Sequence, residues 1–283
     1  TSGYFGGHPP SAGLWCAASI LITFCLLQIS KSSLYKYKIL LLSTIPIALI
    51  GCVLASGRGN WIGFLVAIST FLLWLFYQKK SLKLIVRAIF LLLIVIFGTW
   101  NLPHVGDFLQ KRIDKGINNY SKFVDNQDPR SSAGVRLLWW GSAYQALKKH
   151  PVKGLGVGGY SQWLEQDEDS RTKAYKSSYP KYFSKIKNAS HPHSLYMGVL
   201  ADTGIIGFGI LFAMLSTTIA MCFNLIREFK IAITLLCLLL LWWIAGFFDT
   251  FVYSSQTLSL FTITASLLIY FKNFATSETL RKV

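Results

Sequence analysis

Residues 38–80 read KILLLSTIPIALIGCVLASGRGNWIGFLVAISTFLLWLFYQKK. Two apolar runs, 39–55 and 61–77, are separated only by Ser56-Gly57-Arg58-Gly59-Asn60, and Lys36, Lys38, Lys79 and Lys80 stand at their far ends. Each run is close to the roughly 17–25 residues that an α-helix needs to cross the hydrocarbon core of a bilayer. A glycine-rich polar link between two such runs predicts a helical hairpin in a membrane, with its lysines on one side and Arg58 on the other.

The same ruler applied outward gives five further runs, at 14–29, 84–100, 195–223, 231–248 and 258–271. The run at 195–223 is long enough to tilt or to begin as a short interfacial turn. Composition agrees: of 283 residues, 53% are hydrophobic and 14% charged, against about 25% charged in ordinary soluble domains. The formal net charge is +16, a balance that fits nucleic acid, anionic lipid or an anionic substrate. Here the basic residues alternate with apolar runs, a membrane pattern, and nucleic acid is not an expected partner.

Connecting segments set the orientation. Lys31, Lys36 and Lys38, then Lys79, Lys80, Lys83 and Arg87, then Arg227 and Lys230, then Lys272, Arg281 and Lys282 all fall on one side. The short loops opposite hold only Arg58. Excess Lys and Arg in short loops marks the cytoplasmic side, so the C-terminus is expected there and the 99–193 stretch outside. The expected division is 1–100 with membrane helices one to four, 101–193 an external loop with an amphipathic helix, and 194–283 with helices five to seven and a cytoplasmic tail. The chain starts at Thr1 without an initiator Met, which suggests the C-terminal part of a longer protein.

Cys16, Cys25, Cys52, Cys222 and Cys237 all fall within apolar runs, so they encode no external disulfide framework and are expected to act as small apolar residues. In the external loop, 107–128 carries mixed charge and is read as irregular or as a helix over the membrane surface. Ser131 and Ser132 resemble helix N-caps, and Val135, Leu138, Trp139, Ser142, Ala146 and Leu147 recur at helical spacing on one face. His150-Pro151 ends that helix, and Gly154-Leu155-Gly156-Val157-Gly158-Gly159 follows as a turn. Although its letters contain G-x-G-x-G, a dinucleotide site needs a preceding strand and a βαβ context, which this loop lacks. Lysines and aromatics mix over 173–187, a composition suited to the headgroup zone.

Three external residues invite chemistry: Arg58 at the outer start of the third run, Arg136 early in the loop helix, and His193 at the outer start of the fifth run. An Arg beside a helix N-terminus favours an anion that accepts paired hydrogen bonds, phosphate above all. Each residue also has an ordinary reading. Arg58 would serve as a headgroup anchor, Arg136 as an ion-pair partner of Asp128 and His193 as a hydrogen-bonded structural residue. His191 and His193 without a nearby Cys make a poor zinc set. Asp202 and Asp249, within or at the end of apolar runs, are costly unless partnered, and are read as caps or bundle-facing polar residues.

The spacing after His193 changes this balance. His193-Ser194, nine residues, then Gly204-Ile205-Ile206-Gly207 resembles the H-S-x9-G-x-x-G signature of bacterial O-antigen ligases and related O-antigen polymerases. Arg136 with Trp140, and Pro151 with Gly154-Leu155-Gly156, resemble the helix and glycine turn upstream of that family's His. Ser56-Gly57-Arg58-Gly59 resembles its first external Arg segment, and Ser2-Gly3-Tyr4-Phe5 is a weaker match. The likeness extends over essentially the whole chain. One departure is Ser194, where many relatives carry Asn; its hydroxyl either orients His193 or caps the fifth helix.

The resemblance implies an all-α polytopic membrane protein of the GT-C-type helical bundle, of which this chain would supply about seven membrane helices out of about ten to twelve, plus a large periplasmic helical loop. It implies a multi-pass enzyme of the bacterial inner membrane whose site faces the periplasm. The donor would be a glycan on undecaprenyl pyrophosphate and the acceptor a hydroxyl of a lipid A-core sugar or another glycan, with no metal, nucleotide sugar or other cofactor. His193 would be the general base and Arg58 and Arg136 the pyrophosphate-binding groups, supported by Ser194, Gly204 and Gly207. Direct displacement would invert the anomeric centre. The alternatives are a repeat-unit polymerase, then a protein O-oligosaccharyltransferase, and from a different class a lipid-linked glycan transporter.

Overall fold

The computed structural model describes residues 9–29, 38–55, 58–79, 105–126, 130–166, 191–249 and 255–281, with isolated positions in 86–101 and 173–180. Among the described residues the structure is helical and has no strand. Its helices are α1 (Pro9–Ile29), α2 (Lys38–Leu54), α3 (Arg58–Lys79), α4 (Val105–Asn126), α5 (Ser132–Lys149), α6 (Gly159–Glu165), α7 (Leu195–Ile226), α8 (Ile231–Ala245) and α9 (Ser255–Arg281).

These helices divide into two compact units. The first contains α1, α2, α3, α8, α9 and the part of α7 from Leu215 onward. Helix α8 is apolar all round and buried along almost its whole length, as expected of a helix with no polar face to give to solvent. Helix α3 packs closely along it: a Cβ added at Gly63 would lie 2.8 Å from the Leu241 carbonyl oxygen, and the Cys237 thiol donates to the Ala67 carbonyl at 3.2 Å. Helices α1 and α2 meet through Cys16 and Gly51 and through a 2.9 Å hydrogen bond between the Thr23 and Thr44 hydroxyls. Close approach at small residues and interhelical hydroxyl bonds are the means by which helices associate in lipid. Trp61 Nε1, in the first turn of α3, donates to the Cys52 carbonyl near the end of α2 at 3.0 Å.

Exposed surfaces carry the complementary signal. Ile39, Leu40 and Ile47 of α2, Leu65 and Leu73 of α3, Ile210, Phe212 and Phe223 of α7, and Ile263, Ile269 and Tyr270 of α9 all face outward. So much exposed apolar surface marks an interaction with something other than water. Two helical stretches, Gly59–Gln78 and Leu195–Ile226, are long and apolar enough to cross a membrane. Ala12–Phe24, Ile39–Cys52, Ile231–Ala245 and Leu258–Asn273 are apolar but shorter. The run at 84–100 lies outside the described residues except for Val86, Phe90, Leu93 and Phe97, which are helical and exposed. Their spacing puts them on one face. Cys16, Cys52, Cys222 and Cys237 are not in disulfides.

Two boundaries differ from the sequence reading. The run read as 231–248 ends as a helix at Ala245, and Gly246–Phe248 form a turn. The Gly246 carbonyl leaves the helical ladder and accepts the Leu195 N–H at 2.8 Å. The last helix continues to Arg281, beyond the apolar run itself.

The second unit contains α4, α5, α6, α7 up to Met214, and the segment Gly246–Thr250. Ser131 caps α5, its side chain accepting from the Gly134 N–H at 2.9 Å. Val135, Trp139, Ala143 and Ala146 form a buried stripe on α5 against Tyr160, Trp163 and Leu164 of α6 and Ala201 of α7. Each large side chain so buried contributes on the order of 2 kcal/mol. Tyr160 donates its hydroxyl to the Trp139 carbonyl at 2.8 Å, and the Trp163 indole to Ser142 Oγ at 3.2 Å.

Candidate active site

The site is built on an interruption in α7. At Gly204 the backbone adopts φ 63°, ψ −159°, a non-helical conformation inside an otherwise continuous helix. That region of backbone space belongs almost entirely to glycine. The break frees amide and carbonyl groups that must find partners away from water. The glycine turn after α5 supplies them. Ile205 and Ile206 donate to the carbonyls of Pro151 and Val152 at 2.9 and 3.4 Å, while Leu155 and Gly156 donate to those of Ala201 and Asp202 at 2.9 and 2.8 Å. The chains approach so closely that a Cβ at Gly204 would lie 2.5 Å from the Val152 oxygen, and one at Gly154 2.5 Å from the Asp202 carbonyl carbon. Gly207 lies under the Thr203 side chain. Gly204 of the sequence signature therefore fastens the loop domain to the helix that follows His193.

Asp202 completes this junction. It is buried, and its carboxylate accepts the Gly158 N–H at 3.1 Å and the Tyr160 N–H at 2.9 Å. A carboxylate at the N-terminus of α6 satisfies otherwise orphaned amides, so the cap reading of Asp202 holds.

His193 stands immediately before α7 with φ 50°, a positive value that is uncommon outside glycine. Several contacts hold it there. Its N–H donates to His191 Nδ1 at 3.3 Å, and the preceding Pro192 carbonyl accepts the Trp140 indole N–H at 2.9 Å. Ser194, buried, accepts the Met197 N–H through Oγ at 3.4 Å, which makes it a cap of α7. The Leu195 N–H reaches the carbonyls of Gly246 and Asp249. The imidazole stacks on the Trp139 ring with centroids 5.1 Å apart and an interplanar angle of 19°, and meets the His191 ring in a T-shaped contact with centroids 4.4 Å apart.

Asp249, costly in an apolar run without a partner, faces this imidazole. Its Oδ1 lies 3.6 Å from His193 Nδ1, a charge contact longer than a hydrogen bond, and Nδ1 has no hydrogen-bond partner. A shift of a few tenths of an ångström would convert the contact into an Nδ1–H···carboxylate bond and fix the tautomer with Nε2 unprotonated. The His193 side chain is 27% exposed and that of Asp249 8%, so the imidazole is reachable from outside while the carboxylate is screened. Such a pair can take a proton from a hydroxyl and hold the resulting imidazolium.

Arg136 is half-buried on α5, one turn before Trp139 and Trp140, so it shares the helical region that contacts the His193 segment. Arg58 opens α3 in the first unit, and its side chain lies outside the described residues. The structure thus gathers His193, Ser194 and Gly204 with the α5 segment that bears Arg136. Sequence reasoning missed Trp139 as a partner of His193 and did not pair Asp249 with it. The available signal was the cost of a carboxylate at the end of an apolar run, which names a need for a partner but not the partner.

Comparison with known proteins covers the same elements. The chain is 26% identical over 203 residues, 71% of its length, to an uncharacterized protein of Haemophilus influenzae, and the match spans 47% of that protein. It therefore covers about half the length of that relative. Residues 41–212, from within α2 through the His193 segment and the Gly204 break, match the O-antigen ligase family. With well over half of its length in that match, the chain belongs to the O-antigen ligase family.

Proposed function

We propose that this protein is an O-antigen ligase. It transfers a glycan from undecaprenyl pyrophosphate to a sugar hydroxyl of the lipid A-core, on the periplasmic face of the inner membrane. As a helical membrane protein of this family it works on lipid-linked glycan and polysaccharide substrates. The observation that carries the reading is the His193–Asp249 contact beside the family's signature segment.

In the reaction, the acceptor hydroxyl attacks the anomeric carbon while its bond to the pyrophosphate oxygen breaks. His193 accepts the hydroxyl proton at Nε2, and Asp249 orients the ring and stabilises the imidazolium. Negative charge grows on the leaving lipid pyrophosphate. Arg136 is the guanidinium assigned to it on the loop domain, and Arg58, at the outer end of α3, is assigned the second from its sequence position. Guanidinium groups match phosphate with paired, charge-assisted hydrogen bonds. Inversion at the anomeric centre follows from a single displacement.

The deciding experiment is a transfer assay with purified full-length protein, lipid-linked glycan and lipid A-core acceptor, without ATP or added metal. Glycosylated lipid A-core is expected. If the acceptor stays unmodified while glycan chains lengthen on the donor lipid, the protein is a polymerase and the ligase reading fails. In the same assay Arg136→Ala and Arg58→Ala are each expected to lower kcat/KM for the donor by about 100- to 1,000-fold, the range for loss of a charge-stabilising donor. Unchanged donor kinetics would return the residue to anchoring the protein at the membrane surface.

A further inference from the structure

Trp139 and Trp140 form a feature that the proposed chemistry does not use. They are consecutive on α5, so their side chains leave the helix about 100° apart. Both nevertheless end on the short segment that carries His193. Trp139 lies under the face of the His193 imidazole, 5.1 Å between centroids and nearly parallel. Trp140 donates its indole N–H to the Pro192 carbonyl at 2.9 Å, one residue earlier. The His191 ring also packs against His193, with centroids 4.4 Å apart and at 69° to it.

The segment needs such restraint. His193 has φ 50°, and a non-glycine residue persists in sparsely populated backbone only where its surroundings over-determine it. At Nδ1 the imidazole has the 3.6 Å charge contact with Asp249 but no hydrogen bond, so packing must share in holding the ring. Trp139 is anchored in turn: it is buried, and its carbonyl accepts the Tyr160 hydroxyl at 2.8 Å. Trp140 fixes the backbone and Trp139 fixes the ring.

We infer that Trp139 and Trp140 are positioning residues for His193, acting through it and not on substrate. The inference rests on the assignment of His193 as the base. A base must lie within hydrogen-bond reach of the hydroxyl it deprotonates, and misplacement by about 1 Å costs on the order of a hundredfold in rate. Loss of either contact therefore lowers kcat and leaves donor and acceptor affinity alone.

The test uses the full-length protein with undecaprenyl-pyrophosphate-linked glycan and lipid A-core. Trp140→Phe keeps an aromatic ring but removes the N–H. It is expected to lower kcat about 10- to 100-fold with both KM values and the melting temperature unchanged. Trp139→Leu, which removes the stacking ring, is expected to lower kcat by a similar factor with both KM values unchanged, its melting temperature falling because Trp139 is a core side chain, and Trp139→Phe to restore most of the rate. Wild-type kcat in Trp140→Phe and Trp139→Leu overturns the inference. So does a rate loss accompanied by raised KM and a lowered melting temperature in all three variants, since that is a packing defect. His193→Ala separates this from the function itself: if it is inactive while both tryptophan variants turn over normally, only the positioning role falls. If His193→Ala transfers glycan at the wild-type rate, the base assignment falls first.

Discussion

Replacing His193 by alanine is expected to lower glycan transfer by about 100- to 10,000-fold, the range that a general base contributes, while the donor lipid still binds. The expectation depends on geometry and not on residue type alone. The imidazole is partly exposed, faces the screened Asp249 carboxylate across 3.6 Å and is stacked on Trp139, which leaves Nε2 as the nitrogen free to take a proton. The backbone at this position has φ 50°, which alanine adopts poorly, so a folding defect must be separated from a chemical one. His193→Asn does this, because asparagine tolerates positive φ better than most residues yet has no basic nitrogen. Both variants should lose transfer, with Asn retaining the wild-type melting temperature. Single-turnover transfer and direct binding of the donor lipid are the measurements. Wild-type turnover in His193→Asn would remove the base role.

Gly204→Ala is expected to cost several times the stability of a methyl added at an open position of α7. At φ 63°, ψ −159° a Cβ carries about 1–3 kcal/mol of backbone strain. It would also sit 2.5 Å from the Val152 carbonyl oxygen and 2.7 Å from the Gly154 nitrogen, backbone atoms that cannot move aside as a flexible side chain can. Relieving that overlap means losing the four hydrogen bonds that join Pro151–Gly156 to Ala201–Ile206. A loss of about 3 kcal/mol or more corresponds to a fall of about 6–12 °C in melting temperature for a protein of roughly this size. Gly209→Ala is the control, since nothing lies within 4 Å of a Cβ there and alanine is the better helix former. Equal melting temperatures for the two variants would show that the break at Gly204 is dispensable.

Much of the fold is legible in the sequence, because membrane partition is a local property. A run such as 61–77 is apolar whatever it packs against, and α3 forms around it. The α5 cap at Ser131 and the stripe through Val135, Trp139 and Ala146 follow from spacing on a single helix. Helix ends are less legible. The chain leaves α8 at Ala245 although Phe247 and Phe248 remain apolar, since the Gly246 carbonyl is taken by Leu195.

The same division holds for the site. His193-Ser194 and Gly204-Ile205-Ile206-Gly207 announced themselves by spacing, and residues 41–212 match the family that the spacing resembles. Ser194 carried two readings, and only its contact with Met197 separates capping from orientation of the imidazole.

The sequence by itself therefore determined a helical membrane protein, its family, and the short segment on which the site stands, because apolar length, loop charge and motif spacing are properties of neighbours along the chain. The tertiary structure decided which carboxylate faces His193, which tryptophan stacks on it, and why position 204 is glycine. Asp249, Trp139 and Val152 are far from their partners in sequence. Packing, not spacing, brings buried charges, rings and freed backbone groups to the partners that make their burial possible.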